Sequence, residues 1–352
     1  MWADPRNKKV HSSQLLAITD GKIGAIMAGE GLTSFVIIAY NEAENIGRTM
    51  ASITALDDLG MYEIVVINDG SRDNTAEVVT GFASHDPHIR LIDLVQNCGR
   101  GCARRKGIAA ARGELIATVD ADIVLPADWL HHTRLALRDH DAVGGTPVPD
   151  GDVQYLYKRF GLIPRVVPAT TQVPGSNGLY RRKVFDIITF DSDLREGEDS
   201  AFNYAMAQQG LSAATVPGLL VLHEENKSFG ASLKWLFDIG RGATRQLLVY
   251  RKIRQPDVVA GAFFLATAFG IVVATYDHRL IGITIPMALV LIASIQHVRT
   301  RFDATNTDWW RIGAAAVTNS VLLSAYFIGR IVGLTALSAG RRALVSSRGG
   351  KV

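Results

Sequence analysis

Asp120 and Asp122 stand two residues apart at the end of ELIATVDADIVLP, and Glu198 and Asp199 stand side by side in REGEDSAFNYAMAQQG. Carboxylates in these two patterns do different chemistry. In an extended segment, residues i and i+2 project to the same side, so Asp120 and Asp122 offer two hard oxygen ligands at a strand end. That arrangement suits a divalent cation holding a diphosphate, because Mg²⁺ takes one or two carboxylates and completes its shell with substrate phosphates. A carboxylate at a helix start is favoured by the positive end of the helix dipole and is available to accept a proton. Each pattern also has a plain structural alternative. Asp120 and Asp122 fit a turn with an Asx cap before Pro126, and Asp199 fits an ordinary helix N-cap.

Other residues gain meaning from the elements that must carry them. SFVIIAY (34–40), EIVVIND (63–69), IRLIDL (89–94) and ELIATVD (114–120) are near-continuous apolar runs, as expected of strands buried on both faces. Between them lie NEAENIGRTMASITAL, DGSRDNTAEVVTGFA and NCGRGCARRKGIAAAR, each with helix-type spacing or a turn leading into a helix. The first of these helices is expected to start near Asn41 or Glu42. Strands alternating with helices predict a parallel sheet wrapped by helices, with ligands bound outside the carboxyl ends of the strands. Tyr40, Asp69, Asn97 and Asp120 then share one rim.

The second half is less regular. DAVGGTPVPD reads as a strand leaving the rim, Tyr155–Val167 as an aromatic and basic connection, and PGSNGLYRRKVFDII as a Gly-rich turn into a helix. REGEDSAFNYAMAQQG reads as a helix stopped by Gly210, and LSAATVPGLLVLHEE as strand material ending on His223.

Six blocks in order, SFVIIAYNEAENI, VVINDGSRDNT, QNCGRGCARRKGI, GELIATVDADIVLP, GSNGLYRRKVF and GEDSAFNYAMAQQG, make the chain resemble family 2 glycosyltransferases from Ser34 to about Asn226. The resemblance implies an α/β fold of GT-A type: a Rossmann-like mixed sheet with helices on both faces. It implies roles residue by residue. Tyr40 stacks on a nucleobase, Glu42 meets the ribose or base edge, and Asp69 accepts from a uracil imide; the Asp that many relatives carry one residue earlier is Asn68 here. Arg100 and Arg105 lie near the diphosphate, with a solvated helix face as the competing reading of each. Asp120 touches ribose or metal, and Asp122 is the main ligand of Mg²⁺ or Mn²⁺. His223 completes the metal site or contacts the diphosphate, and Ser176 and Asn177 contact donor sugar or acceptor. Asp199, in the Glu198–Asp199 pair, takes the proton from the acceptor hydroxyl during inverting transfer.

The composition places this domain at a membrane. The chain has 352 residues, 48% of them hydrophobic, and a net charge of +3, which gives no broad basic footprint for nucleic acid. Three apolar runs, Val258–Tyr276, Leu280–Val298 and Ile312–Ala339, are each near the length that crosses a bilayer. Arg330, inside the third, must face a partner helix, water or a lipid phosphate. The stretch WLFDIGRGATRQLLVYRKIRQP, with Arg241, Arg245 and Arg251, reads as a basic amphipathic helix at the membrane surface, able to hold a lipid diphosphate. This segment and the apolar runs give a closer likeness to membrane-attached glucosyltransferases of succinoglycan assembly. The expected organisation is an arm (1–32), a glycosyltransferase domain (33–226), an interfacial segment (227–257), C-terminal transmembrane helices (258–340) and a polar tail (341–352). The start of the chain lacks the apolar core of a signal peptide, so a multi-pass cell-membrane protein with a cytoplasmic catalytic domain is expected. Three spans would leave Arg341 and Arg342 outside, against the positive-inside rule, so the last run also fits a re-entrant or interfacial helix. Cys98 and Cys102 are expected to be reduced.

The expected partners are a nucleotide sugar donor, a lipid-linked acceptor and membrane lipids, with no nucleic acid. The expected activity is transfer of a sugar from a UDP-linked donor to a lipid-linked acceptor in glycan or exopolysaccharide assembly. Transfer to polyprenyl phosphate is the alternative, and a non-catalytic nucleotide-binding scaffold a third reading. The Gln-x-x-Arg-Trp motif of processive synthases does not occur in the sequence.

Overall fold

The computed structural model describes residues 31–150, 163–164, 170–192, 194, 197–224, 228–250, 302–303 and 308–348, with a few isolated positions between 265 and 298. The four apolar runs form β1 (Thr33–Ala39), β2 (Tyr62–Asn68), β3 (Ile89–Asp93) and β4 (Leu115–Asp120), all parallel, with β1 between β2 and β4. Their side chains alternate between two cores. Phe35 and Ile37 point to one face, among Ile46, Met50, Ile53 and Trp129; Val36 packs on the other with Ile108, Tyr180, Phe190 and Phe202. Burial on both faces is why these strands read as unbroken apolar runs.

Helices α1 (Ile46–Thr54), α2 (Thr75–Ala83) and α3 (Arg100–Ala110) connect them, followed by a two-residue strand β5 (Ile123–Val124) and α4 (Trp129–Ala136). Helix α1 starts at Ile46 rather than at Asn41 or Glu42. Asn41 holds a left-handed φ of 57°, and residues 43–45 form a turn ahead of the helix.

Beyond β4 the sheet changes direction. The order is β3-β2-β1-β4-β8-β6-β9-β5, with β6 (Ala142–Asp150), β8 (Asn177–Arg181) and β9 (Ala213–Glu224) in its second half. Strand β8 runs antiparallel to both β4 and β6, whereas β6 and β9 are parallel. Strand β8 corrects the expectation of a turn leading straight to a helix: after a turn at Gly175 and Ser176, NGLYR is a buried central strand, and only then comes the short α5 (Lys183–Ile187). A further helix, α6 (Glu198–Gln208), begins behind Gly197 at φ 74° and ends before Gly210. The sheet is thus mixed, with a parallel half and a mixed half joined at the antiparallel β4–β8 pairing. A separate two-stranded pairing joins β7 (Ile163–Pro164) to β10 (Phe302–Asp303).

Helices α7 (Phe229–Tyr250) and α8 (Trp309–Arg348) pack along each other through glycines. A Cβ on Gly240 would lie 2.1 Å from Tyr326 O, and one on Gly329 would lie 2.0 Å from Phe237 O. Such spacing lets the two backbones touch. Within α8, Trp309–Leu334 is long and apolar enough to cross a membrane. Arg330 is buried there, donates to the Tyr326 hydroxyl at 3.0 Å, and its carbonyl accepts from Thr244 on α7. Its backbone thus meets the neighbouring helix, while the guanidinium bonds to Tyr326 of its own. The runs Val258–Tyr276 and Leu280–Val298 lie almost wholly outside the described residues, so among these one helix meets the length and composition of a span.

Candidate functional site

The rim of the parallel half is built by interlocking loops. The Asn41 amide donates to Ser71 Oγ at 2.9 Å, and its side-chain oxygen accepts from Arg72 N at 2.8 Å. The amides of Glu42 and Ala43 donate to Thr75 Oγ1 and Asp73 Oδ2. Burial pushes the Asp73 carboxyl up, yet the bonds from Thr75, Ala43 and neighbouring amides outweigh it and leave it below its ordinary value. These ties hold Tyr40, 44% exposed, at the strand end, with Glu42 beside it on Asn45 Nδ2 at 2.9 Å.

Asp69 has a structural duty as well as the one expected. Its carboxylate is buried and accepts from the amides of Cys98 (2.8 Å) and Gly99 (2.9 Å), so it holds the β3–α3 loop. Asn68 behaves likewise, donating to Asp93 at 2.8 Å and accepting from Ser71 N at 3.3 Å. Cys98 and Cys102 are joined in a disulfide across this loop, which corrects the reduced pair expected from the sequence. The two residues lie about one helical turn apart, close enough to bond.

The centre of the site is a residue that the sequence reading passed over. Arg104 is 2% exposed and lies between two carboxylates. Its Nη2 donates to Asp120 Oδ1 at 2.6 Å, its Nη1 donates to Glu198 Oε1, and its guanidinium sits 5.6 Å from the Phe190 ring centroid. Arg105, the expected phosphate ligand, is exposed on the outer face of α3, because one residue along a helix turns the side chain by about 100°. Arg100 does reach the site, donating to Asp120 Oδ2 at 3.1 Å.

Asp120 therefore differs from a free ribose or metal ligand: both its oxygens are held by guanidinium groups, and its amide donates to Ser176 O at 3.0 Å. Burial raises its carboxyl, but Arg104, then Arg100 and His223, overcome this and hold it below the usual range. Glu198 goes the other way. Burial, reinforced by Asp199, raises its carboxyl against the pull of Arg104. Glu198 is 1% exposed, and its Oε2 has no hydrogen-bond partner among the described residues.

Asp122 and His223 meet at the other end of the same loop. Pairing of Ile123 with His223 across β5–β9 brings His223 Nε2 to 3.1 Å from Asp122 Oδ2. The loop is clamped from behind, since Thr49 Oγ1 donates to Ala121 O and Glu224 N donates to Asp122 O, both at 2.7 Å. Glu224 also pairs with Arg48 at 2.6 Å. Asp122 Oδ1 is buried without a hydrogen-bond partner among the described residues. An orphaned carboxylate oxygen beside an imidazole fits a divalent cation. Among the described residues no cluster of three His, Cys, Asp or Glu side chains could hold a metal by itself. Any ion here would draw its remaining ligands from a bound molecule.

Asp199 lies at the start of α6, half-buried, with Oδ1 accepting from Ser200 N at 2.6 Å. Gly175 presses against it: a Cβ there would be 2.9 Å from Asp199 Cβ and 3.1 Å from Arg104 Cζ. Of the two GSNG candidates, Ser176 is half-buried on this loop, but Asn177 is fully buried and its Oδ1 accepts from Gly145 N at 2.6 Å. Asn177 thus ties β8 to β6 and is not open to a sugar. Arg241 pairs with Asp238 on α7 at 3.2 Å; the Arg245 side chain and Arg251 lie outside the described residues.

Comparison with known proteins bears on the fold and the family. The Glycosyl transferase family 2 model matches residues 34–194. The dolichyl-phosphate beta-glucosyltransferase ALG5C of Trichomonas vaginalis is 43% identical over 100 residues, covering 26% of this chain and 30% of that protein. Glycosyltransferase AglE of Haloferax volcanii is 25% identical over 252 residues, covering 67% of this chain and 80% of AglE. The chain thus spans under a third of the first relative and four-fifths of the second. Among solved structures, the mannosyltransferase PcManGT from Pyrobaculum calidifontis, in complex with GDP-Man and Mn²⁺, superposes with a TM-score of 0.54 at 20% identity, covering 87% of each chain. That likeness bears out the GT-A-type fold.

Proposed function

From the match of residues 34–194 to the Glycosyl transferase family 2 model, we propose that the protein transfers a sugar, with inversion, from a nucleotide diphosphate sugar to a lipid-linked acceptor at a membrane. The observation that carries the reading is a division of carboxylates around one buried cation. Asp122, with an orphaned oxygen and His223 beside it, lies two residues from Asp120, and Asp199 lies next to Glu198; Arg104 bridges Asp120 and Glu198. One end suits a metal diphosphate and the other a proton acceptor.

In this reading Tyr40 and the 41–43 loop receive the nucleoside, with UDP the expected carrier. Asp122 and His223 hold Mg²⁺ or Mn²⁺, which when bound neutralises charge on the departing diphosphate. PcManGT was solved with Mn²⁺ and a sugar nucleotide, which supports this choice of cofactor. Arg100, 41% exposed at its side chain, faces the same charge. Asp199 accepts the proton of the acceptor hydroxyl. The acceptor oxygen forms its bond to the anomeric carbon as the bond from that carbon to the diphosphate breaks, and the nucleoside diphosphate leaves with the electron pair. The apolar stretch Trp309–Leu334 and the basic α7 would hold the domain at the lipid surface.

Transfer to polyprenyl phosphate is the second reading, favoured by the likeness to a dolichyl-phosphate glucosyltransferase. That acceptor is already an anion and depends less on a base. Full-length protein in detergent, given labelled nucleotide sugars, Mn²⁺ and either polyprenyl phosphate or a lipid-linked saccharide, separates the two. Asp199→Asn should cut kcat by about 10²–10⁴-fold on a hydroxyl acceptor and far less on a phosphate. Asp122→Asn should remove the Mn²⁺-dependent thermal stabilisation by UDP. Unchanged stabilisation in Asp122→Asn would overturn the metal assignment.

A further inference from the structure

The Arg104 guanidinium touches carboxylates of both halves of the site. Asp120 ends the last parallel strand, two residues before Asp122, and Glu198 opens α6, directly before Asp199. The guanidinium is fully buried, so its two bonds operate in a low dielectric and are geometrically exacting. Phe190 lies against one side of it, stacked in turn on Phe202 of α6 at 4.1 Å between ring centroids. Gly175 closes the other side: there is no room for a methyl group between the loop, Arg104 and Asp199. Arg104 is thus fixed by packing as well as by charge, and the first turn of α6 is fixed by Arg104.

We propose that Arg104 is a positioning residue for sugar transfer: by holding Asp120 and Glu198 on one guanidinium, it sets Asp199 in register with the donor rim. This rests on the glycosyltransferase reading above. Glu198 serves as the handle by which the helix is held. Its second oxygen is buried, whereas Asp199, on the next residue, is half-buried. Lysine cannot replace arginine here, because an ammonium offers no planar fork to span two carboxylates. Displacement of a base by about 1 Å costs on the order of 10²-fold in rate, so the expected signature is in kcat.

Three full-length variants in detergent test this: Arg104→Lys, Arg104→Met and Gly175→Ala, the last leaving every charge in place. For each, kcat and the donor KM are measured beside amide hydrogen exchange of peptides covering 174–177 and 198–206. The expected result is a kcat lowered about 100-fold with donor KM within about 3-fold in Arg104→Lys and Gly175→Ala, and faster exchange confined to those peptides. Should Arg104→Met fail to fold, Arg104→Lys and Gly175→Ala decide. Wild-type kcat in Arg104→Lys, or exchange that rises uniformly over the domain with kcat per folded molecule unchanged, would overturn the proposal and leave Arg104 a packing residue. If the wild-type protein turns over no nucleotide sugar, the functional reading fails, and the exchange of α6 still decides whether Arg104 holds that helix.

Discussion

Gly70 follows Asp69 at the end of β2 with φ 70°, and an added Cβ would lie 2.7 Å from Asn97 N and 2.8 Å from Gln96 C. Gly70→Ala meets two separate penalties there. The left-handed backbone costs an L-residue about 1–2 kcal/mol. The contacts are backbone atoms, which cannot swing aside like the end of a side chain, so residues 96–97 must shift at a cost typical of overpacking, about 1–3 kcal/mol. The sum, about 2–5 kcal/mol, is a large share of a domain's stability. The moved segment runs directly into Cys98 and Gly99, whose amides bind Asp69. The substitution should therefore loosen the start of α3 and weaken UDP binding as well. The assay is urea unfolding of the full chain in detergent, followed by near-UV circular dichroism, with a lower midpoint and an unchanged slope expected. Gly70→Asn should recover part of the loss, since asparagine tolerates this φ, while keeping the clash. A loss below about 1 kcal/mol in Gly70→Ala would refute the reasoning, because surface-like tolerance of that size means that the two loops are not in contact.

Acid should destabilise the domain through carboxyls held below their ordinary values. Glu63 is pushed up by burial but held down more strongly by bonds from Ser34, Arg112 and Arg90, and Asp141 is lowered by Lys183 and Ser212. Their unfolded forms take up protons first, so the stability they supply is present above about pH 4.5 and is lost as pH falls below it. Glu198, raised by burial, acts in the opposite direction: it takes up a proton in the native state before the unfolded state does, which relieves a penalty as pH falls toward 4.5. Urea midpoints measured from pH 7 to pH 3 should fall steeply only at the acid end, and Glu63→Gln should flatten that limb; a midpoint constant across it would contradict the assignment. In the helical pair, Gly329→Leu drives a side chain into the Phe237 carbonyl and should separate α7 from α8. Cysteine pairs engineered across that seam should then lose crosslinking, and full retention of crosslinking would show that the helices do not meet through Gly329.

The parallel half was legible because double burial favours unbroken apolar runs, and FVIIA and IVVI supply them. Strand β8 was hidden for the converse reason. NGLYR carries Asn177 and Gly178 at its start, which read as a turn, yet Asn177 is a sheet tie and Gly178 makes room for the Tyr180 ring, whose hydroxyl would lie 2.7 Å from a Cβ. Arg104 escaped notice because the family pattern drew attention to basic residues on α3 without saying which face was buried. The signal was present: Gly101, Arg104, Ile108 and Ala111 follow a three-four-three spacing, and Arg105 falls outside it. The pairing of Cys98 with Cys102 was also available, as one turn separates them, but composition argued for a reducing compartment.

The same geometry explains why Asp120 reads ambiguously in isolation. At the end of β4 the sheet turns from parallel to antiparallel pairing, and the Asp120 amide already bonds across that seam to Ser176. Four carboxylates (Asp120, Asp122, Glu198 and Asp199) converge there with two guanidinium groups, Arg100 and Arg104. Arg104 binds Asp120 and one oxygen of Glu198, Arg100 adds to Asp120, and Asp122 meets His223 through Oδ2, while its buried Oδ1 has no hydrogen-bond partner among the described residues. An uncompensated carboxylate at a strand end costs several kcal/mol unless something binds it. In the proposed reading the imbalance falls on Asp122, beside His223, which makes it, rather than Asp120, the carboxylate suited to a cation. Asp120 spends its charge holding the seam together.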